Sequence, residues 1–329
     1  MALDVKITIN MTKPVGNIGF GYPLILEVGA EKEIAYTVVS SLTEVVTAGY
    51  AVDSDMYKTA QLMFVQEHAP EKIAVCSTTG TGAAWLADES NVSKDWRQLV
   101  VLGIDEANYG VEQTPIADAI EAQTTYPKMF YANHPASDIK HKEYDRTVAF
   151  YFPATEGVPC PVAALVGEVA GCEVGSYTLN NMTVKGVTGQ ELSATELENI
   201  HKNGFITYVI SAGDTVVSEG FAASGEFVDN TDNNDWIKSQ LEYRIQKVLN
   251  NNLKVPYTNA GIAMLESAAT SVMADAVSRN MIDNYTVSFA LRENTTAEDR
   301  AARRYIGGNI KYEMTGAIHT VEVTCEGSF

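Results

Sequence analysis

Residues Gln98 to Ile104 read Q-L-V-V-L-G-I, an almost unbroken apolar run. A strand with one wet face alternates apolar and polar residues; a short continuous run suits a strand covered on both faces. That requirement constrains the chain most, because such a sheet needs helices on both sides. Further strand-like runs lie at Tyr22 to Val28, Lys72 to Ser77, Pro127 to Ala132 and Arg146 to Phe152. Between them, Ser54 or Asp55 caps a helix with Tyr57, Ala60, Phe64 and Val65 that ends before Pro70. Gly80 to Asp88, Gln113 to Thr124 and Pro161 to Ala170 also read as helices. Strands alternating with helices of about 10–12 residues predict βαβ units, right-handed crossovers and a mainly parallel sheet. The expected fold class is α/β, a mainly parallel sheet with flanking helices, over residues 18–200.

A different pattern follows in residues 201–329, expected to form a C-terminal α+β portion. Ile237, Leu241, Ile245, Val248, Leu249 and Leu253 recur at three- and four-residue steps, one apolar stripe along a helix. Asn233, Asn234 and Asp235 crowd its start as capping residues; Asn250 to Asn252 and Pro256 mark its end. A second helix starts at Thr258 or Asn259, carries Ile262, Leu265, Ala269, Val272, Met273 and Ala276, and stops near Asn280, a residue that tolerates a left-handed cap. The pair spans 234–280. A strand is predicted from Tyr285 to Leu291, a short basic helix from Asp299 to Arg304, and a final strand from Ile310 to Thr324, with residues 310–326 as a terminal arm.

The other end mirrors this. Val5, Ile7, Ile9 and Met11 alternate with Asp4, Lys6, Thr8 and Asn10, and the breaker-rich linker Thr12 to Asn17 follows. Residues 1–17 thus read as a strand on a tether, which pairs either as an edge strand of its own domain or away from it.

Charge and composition exclude several functions. With 42 acidic against 23 basic residues the formal net charge is −19, which repels nucleic-acid phosphates and predicts no direct nucleic-acid partner. Cys76, Cys160, Cys172 and Cys325 show neither a C-x-x-C pair nor metal-like spacing and read as buried, reduced thiols. The start M-A-L-D-V-K-I-T-I-N lacks a basic segment followed by an apolar core, and no apolar run reaches membrane-spanning length. Synthesis in the cytoplasm without membrane insertion is the expectation.

Chemistry-bearing motifs are sparse. Thr79-Gly80-Thr81-Gly82-Ala83 stands where a dinucleotide fingerprint would, but Trp85 replaces the third glycine, and no acidic residue ends a following strand. Tight-turn glycines explain it better. Of His68, His134, His141, His201 and His319, none belongs to an H-x-x-x-H pair, and His319 shares a predicted strand face with Val321, Val323 and Cys325, as a hydrogen-bonded structural histidine would. Carboxylate pairs such as Asp53 with Asp55 and Asp229 with Asp232 sit among turn residues, where capping is the default. No catalytic residue, cofactor or metal ligand is assigned, and the chain is read as not an enzyme. The rival is an α/β hydrolase or oxidoreductase with an unrecognised site.

The order of features resembles contractile tail sheath proteins of bacteriophages and phage-tail-like particles. The resemblance rests on the helix pair, the stretch Asp299-Arg300-Ala301-Ala302-Arg303-Arg304, and the closing Gly316-Ala317-Ile318-His319-Thr320-Val321-Glu322-Val323. Phe20 to Leu26 resembles the first core strand of that family, Tyr57 to Gln66 the next helix, and Lys185 to Thr188 with Leu192, Glu196 and Asn203-Gly204 the segment before the helix pair. The chain is short for the family, similar to sheaths without large inserted outer domains. The resemblance implies a structural subunit that assembles helically around an inner tail tube and contracts by subunit rearrangement. It implies terminal arms, here Val5, Ile7 and Ile9 at one end and Ile318, Val321 and Val323 at the other, that complete sheets of neighbouring subunits. Thr12 to Asn17 and Gly307-Gly308-Asn309 would act as hinges. Implied partners are further copies of the chain, the inner tube protein, and baseplate and tail terminator proteins. The basic cluster Arg300, Arg303 and Arg304 would face the tube, or else neutralise Glu298, Asp299 and the helix end. The implied location is the bacterial cytoplasm during assembly, then a virion tail or an extracellular phage-tail-like particle.

Overall fold

The structure, a computed structural model, describes residues 21–104, 109–136, 142–153, 155 and 157–325. The expected N-terminal arm, with Val5, Ile7 and Ile9, lies outside the described residues, as does His141. The chain runs β1 (Tyr22–Glu27), β2 (Ile34–Val39), α1 (Leu42–Thr47), α2 (Asp55–Phe64), β3 (Ile73–Ser77), α3 (Gly82–Ala87), α4 (Glu89–Val92) and β4 (Trp96–Leu102). It continues through α5 (Tyr109–Glu121), β5 (Met129–His134), β6 (Thr147–Tyr151), α6 (Val162–Val169), α7 (Ala194–Lys202) and β7 (Phe205–Ile206).

These strands form one 7-stranded sheet in the order β2-β3-β1-β4-β5-β6-β7. It is parallel except for β2, which runs antiparallel to β3. The fold is therefore mixed α/β on a mainly parallel sheet. Alternate side chains feed its two faces. Ile25, Val75, Val100, Tyr131, Val148 and Phe150 meet α2 and α6 on one side. Leu24, Ala74, Leu99, Phe130 and Ala132 meet α3 and α5 on the other. Every residue of β3 is buried, as a strand covered on both faces requires.

Beyond the sheet come the hairpin β8 (Tyr208–Ser211) and β9 (Asp214–Val217), the long helices α8 (Val228–Asn251) and α9 (Asn259–Ser278), β10 (Ile282–Phe289), a 3₁₀ turn at Arg292–Asn294, α10 (Ala297–Ala301) and β11 (Gly308–Met314). β10 and β11 form a separate antiparallel two-stranded sheet. It packs with α8 and α9 around a third core of Trp236, Ile237, Leu241, Val272, Met273 and Ile282. α9 is long and apolar enough to cross a membrane by length and composition, yet Ala269, Val272, Met273 and Ala276 are buried within the protein. It ends as its sequence predicts: Asn280 is left-handed at φ 57°, and the amides of Asn280 and Met281 return to the carbonyls of Val277 and Ala276.

Three expectations are corrected. α8 starts at Val228, not at the Asn233–Asp235 cluster, and Asp232, Asn233 and Asp235 are buried inside it. The sheet takes β7 from beyond residue 200, so the expected boundary at 200 and 201 lies inside the segment that completes this core. The final predicted strand ends at Met314; among the described residues, 315–325 pair with no strand.

Candidate functional site

The fingerprint-like loop after β3 is filled from within. The Glu33 carboxylate accepts from the Thr79 amide at 2.7 Å, the Thr79 hydroxyl at 2.9 Å and the Thr78 hydroxyl at 3.0 Å. These bonds hold the Glu33 pKa below the usual carboxylate range. Gly82 has a packing reason: a Cβ there would lie 2.6 Å from the Ile116 side chain, which would have to shift for α3 to stay this close to α5.

A buried ionic joint ties α8 to the sheet. Arg97, at the start of β4, is 2% exposed, and its guanidinium reaches Asp232 at 2.5 Å and Asp235 at 2.7 Å. Arg146, just before β6, grips both oxygens of Asp235 at 2.8 and 2.9 Å. The Tyr177 hydroxyl donates to the second oxygen of Asp232 at 2.6 Å. Two arginines thus balance two aspartates three residues apart on one helical face. Burial opposes charge on Arg97, but Asp235 and Asp232 outweigh it and raise its pKa. Burial likewise opposes charge on Asp235, where Arg97 and Arg146 win and lower the pKa.

Lys128 is the surplus cation. Its ammonium donates to the Lys94 carbonyl at 3.0 Å and to that of Trp96, and lies 4.3 Å from the centre of the Trp96 ring. Burial, then the charge of Arg97, brings its pKa down to about 7. The capping role expected of Asp232 is therefore replaced by long-range pairing. One signal was available in the sequence: an arginine inside W-R-Q-L-V-V-L, a strand otherwise covered on both faces, requires a buried counter-ion.

The C-terminal tail leaves this frame. Ile318, Val321 and Val323 are 86%, 74% and 76% exposed. Between them His319 is pinned, its side chain 12% exposed. Its Nδ1 lies 2.9 Å from a Glu219 oxygen and its Nε2 3.1 Å from the Thr178 hydroxyl, while the ring meets Phe227 edge-on at 4.9 Å. A carboxylate only accepts, so Nδ1 carries the proton toward Glu219. His319 is thus the hydrogen-bonded histidine expected, but on an extended tail, where no strand face joins it to Val321 and Val323. Asp229 lies close by, its pKa raised mainly by burial.

The basic cluster is divided. α10 ends at Ala301, and Arg303 turns left-handed at φ 55°, so Arg300 and Arg304 do not share the helical face expected of them. Arg304 pairs with Asp299 at 2.6 Å, and Arg300 donates to the carbonyls of Thr295 and Arg292. The Arg303 side chain is exposed. Among the other expected residues, Cys76 and Cys160 are buried, whereas Cys172 is half-buried and Cys325 exposed, contrary to the reading of four buried thiols. His201 bonds Ser218, and burial lowers its pKa. His134 bonds the Ala136 carbonyl.

Neither a protein-family model nor a curated protein matches the sequence. Solved structures do match the fold. The helical sheath of the anti-feeding prophage in its contracted state aligns with a TM-score of 0.71 at 11% identity, covering 100% of this chain and 95% of that one. The sheath complex of an extracellular contractile injection system, also contracted, aligns with a TM-score of 0.71 at 11% identity, covering 100% and 97%. A sheath tail protein from Desulfitobacterium hafniense aligns with a TM-score of 0.54 at 11% identity over 86% of this chain and 93% of that one. From the first core strand to the tail, the chain has the fold of contractile sheath subunits.

Proposed function

We propose that this chain is the subunit of a contractile tail sheath, a structural protein that polymerises helically around an inner tube and shortens by rearrangement of its copies. The carrying observation is the tail: three large apolar side chains stand in solvent on a segment without regular secondary structure, following a two-stranded sheet whose outer edges pair with no other strand among the described residues. An extended apolar segment is stabilised by joining a sheet edge of another copy, through directional backbone hydrogen bonds and side-chain pockets. Ile318, Val321 and Val323 are the C-terminal arm; Val5, Ile7 and Ile9 are proposed as its N-terminal counterpart. His319 is the point where the arm leaves the fold. Shape likeness to subunits of contracted sheaths supports this reading over the enzymatic rival.

The proposed partners are the neighbouring copies, the inner tube, and the baseplate and terminator at the two ends. The particle would be assembled in the bacterial cytoplasm and act as a virion tail or an extracellular injection device. The tube-facing role is proposed for Arg303, since Arg300 and Arg304 are held by local partners.

Negative-stain electron microscopy of the purified protein is the test, with hollow striated cylinders expected. Deleting residues 1–12 should leave a folded monomer that forms no cylinders. An unfolded deletion product would instead make the N-terminal strand part of its own core, and a protein that stays monomeric under all assembly conditions would sink the sheath reading.

A further inference from the structure

Away from the joint and the arms, three side chains of different chemistry converge where the end of α6 meets the segment after α2. His68 Nδ1 lies 2.5 Å from Glu168 Oε1, and the Cys172 thiol lies 3.3 Å from the Glu168 carbonyl. The imidazole nitrogen, carboxylate oxygen and thiol sulfur all fall within 4.8 Å of one another. We propose that His68, Glu168 and Cys172 form a three-ligand site for a divalent transition cation of the zinc type.

The donor set selects the class of ion. Nitrogen, sulfur and oxygen together suit zinc or cobalt, whereas magnesium and calcium take oxygen ligands almost exclusively. The carboxylate is buried and already oriented. Glu168 Oε2 accepts the backbone amides of Glu67 at 3.0 Å and His68 at 3.2 Å, which leaves Oε1 facing the imidazole. An outer shell of this kind holds a ligating carboxylate in place.

The backbone fixes the distance between the two segments. A Cβ on Gly171 would lie 1.6 Å from the His68 carbonyl oxygen, so only glycine permits this approach. His68 is exposed, which opens a path for the ion and leaves a coordination position toward solvent. Ligands on a tetrahedral zinc ion stand about 3.3 Å apart, given bonds near 2.0–2.1 Å. The exposed imidazole must therefore swing outward by under about 1 Å, its Nδ1 proton being displaced while the ring carries a proton on Nε2, so that a neutral imidazole binds the ion. Cys172 likewise gives up its thiol proton as the metal–sulfur bond forms. Glu67 and Lys185, paired at 3.5 Å, are the other charged groups facing His68. Spacing along the chain hides the set: Glu168 and Cys172 are one helical step apart, but His68 is remote in sequence.

The site stands independently of the sheath reading. Purified protein stripped with chelator should bind one equivalent of Co²⁺ at mildly alkaline pH, with a near-ultraviolet thiolate-to-cobalt band that Zn²⁺ abolishes by displacement. Cys172→Ser should remove that band, and His68→Ala should weaken binding by about tenfold or more. Both variants should keep the circular dichroism of the parent; His68 is exposed, so its variant keeps the test open if Cys172→Ser misfolds. Absence of the band, its survival in Cys172→Ser, or unchanged cobalt affinity in His68→Ala would each overturn the assignment.

Discussion

In the core, β3 is buried at every position and β1 at all but its ends, and the deepest charges are matched pair for pair by Arg97, Arg146, Asp232 and Asp235. In the C-terminal unit, most positions of β10 and β11 are exposed or only partly covered, and the tail holds Ile318, Val321 and Val323 in solvent. The same chain thus contains one region that uses most of its bonding capacity internally, with a few buried oxygens such as those of Gln98 and Tyr131 left without partners, and one whose capacity is left over at exposed edges. A finished core can move as a rigid body while an unfinished edge joins copies together. α8 belongs to both: Asp232 and Asp235 hold its first turns to the sheet, while Ile237, Leu241 and Ile245 pack with α9.

The largest expected effect lies in the unfinished region. Replacing Val321 and Val323 with Asp should abolish cylinders while leaving monomer stability within about 0.5 kcal/mol, as for other exposed positions. Electron microscopy and thermal melting read the two halves of that statement; a large drop in melting temperature would show that the tail belongs to the monomer's own core. In the finished region the contrast reverses. Arg97→Met leaves buried aspartates without their main counter-charge and should cost about 3–5 kcal/mol in urea unfolding. A loss below about 1 kcal/mol would mean that the joint is not a closed, dry network.

Lys128 sharpens the same contrast. Its folded pKa of about 7 lies below that of the unfolded chain, so the unfolded state binds more protons between about pH 7 and pH 10. Wild-type stability should therefore gain from this group as pH rises through that window, with the full penalty present below it. Lys128→Met should remove the slope and stabilise the protein at pH 6 by ~1–3 kcal/mol, after allowing for the lost hydrogen bonds. Parallel stability–pH profiles for the two proteins would contradict this. The smallest effect is at Arg303, a non-glycine residue at φ 55°. Arg303→Gly should raise monomer stability by about 0.5 kcal/mol and, through the lost charge, weaken tube decoration in a salt-sensitive way. Unchanged tube binding would remove Arg303 from that interface.

The core sheet was legible because its strands are apolar on both faces and each crossover helix carries its own breaker or cap. Ser54 caps α2 and Thr258 caps α9, each one of the two adjacent residues read as the start of its helix. α7 went unread, although Ser193 and Glu196 form a capping box visible as S-x-x-E. The β8–β9 hairpin also went unread, its strands being only four residues each, and so did β2, although Ile34–Val39 is an apolar run as long as β1. Asp232 and Asp235 misled for a physical reason: local propensity sends such residues to helix ends, whereas a buried arginine far away in sequence holds them inside the helix.

By itself the sequence determined the parallel sheet, the two long helices with their left-handed stop at Asn280, and the excess of acidic charge, because periodicity, capping and composition are local properties. Only the tertiary structure decided where α8 begins, which charges Arg97 neutralises, and that His68 meets Glu168 and Cys172. Each of these depends on groups brought together by packing of distant segments, and their energies exist only once water has been excluded between them.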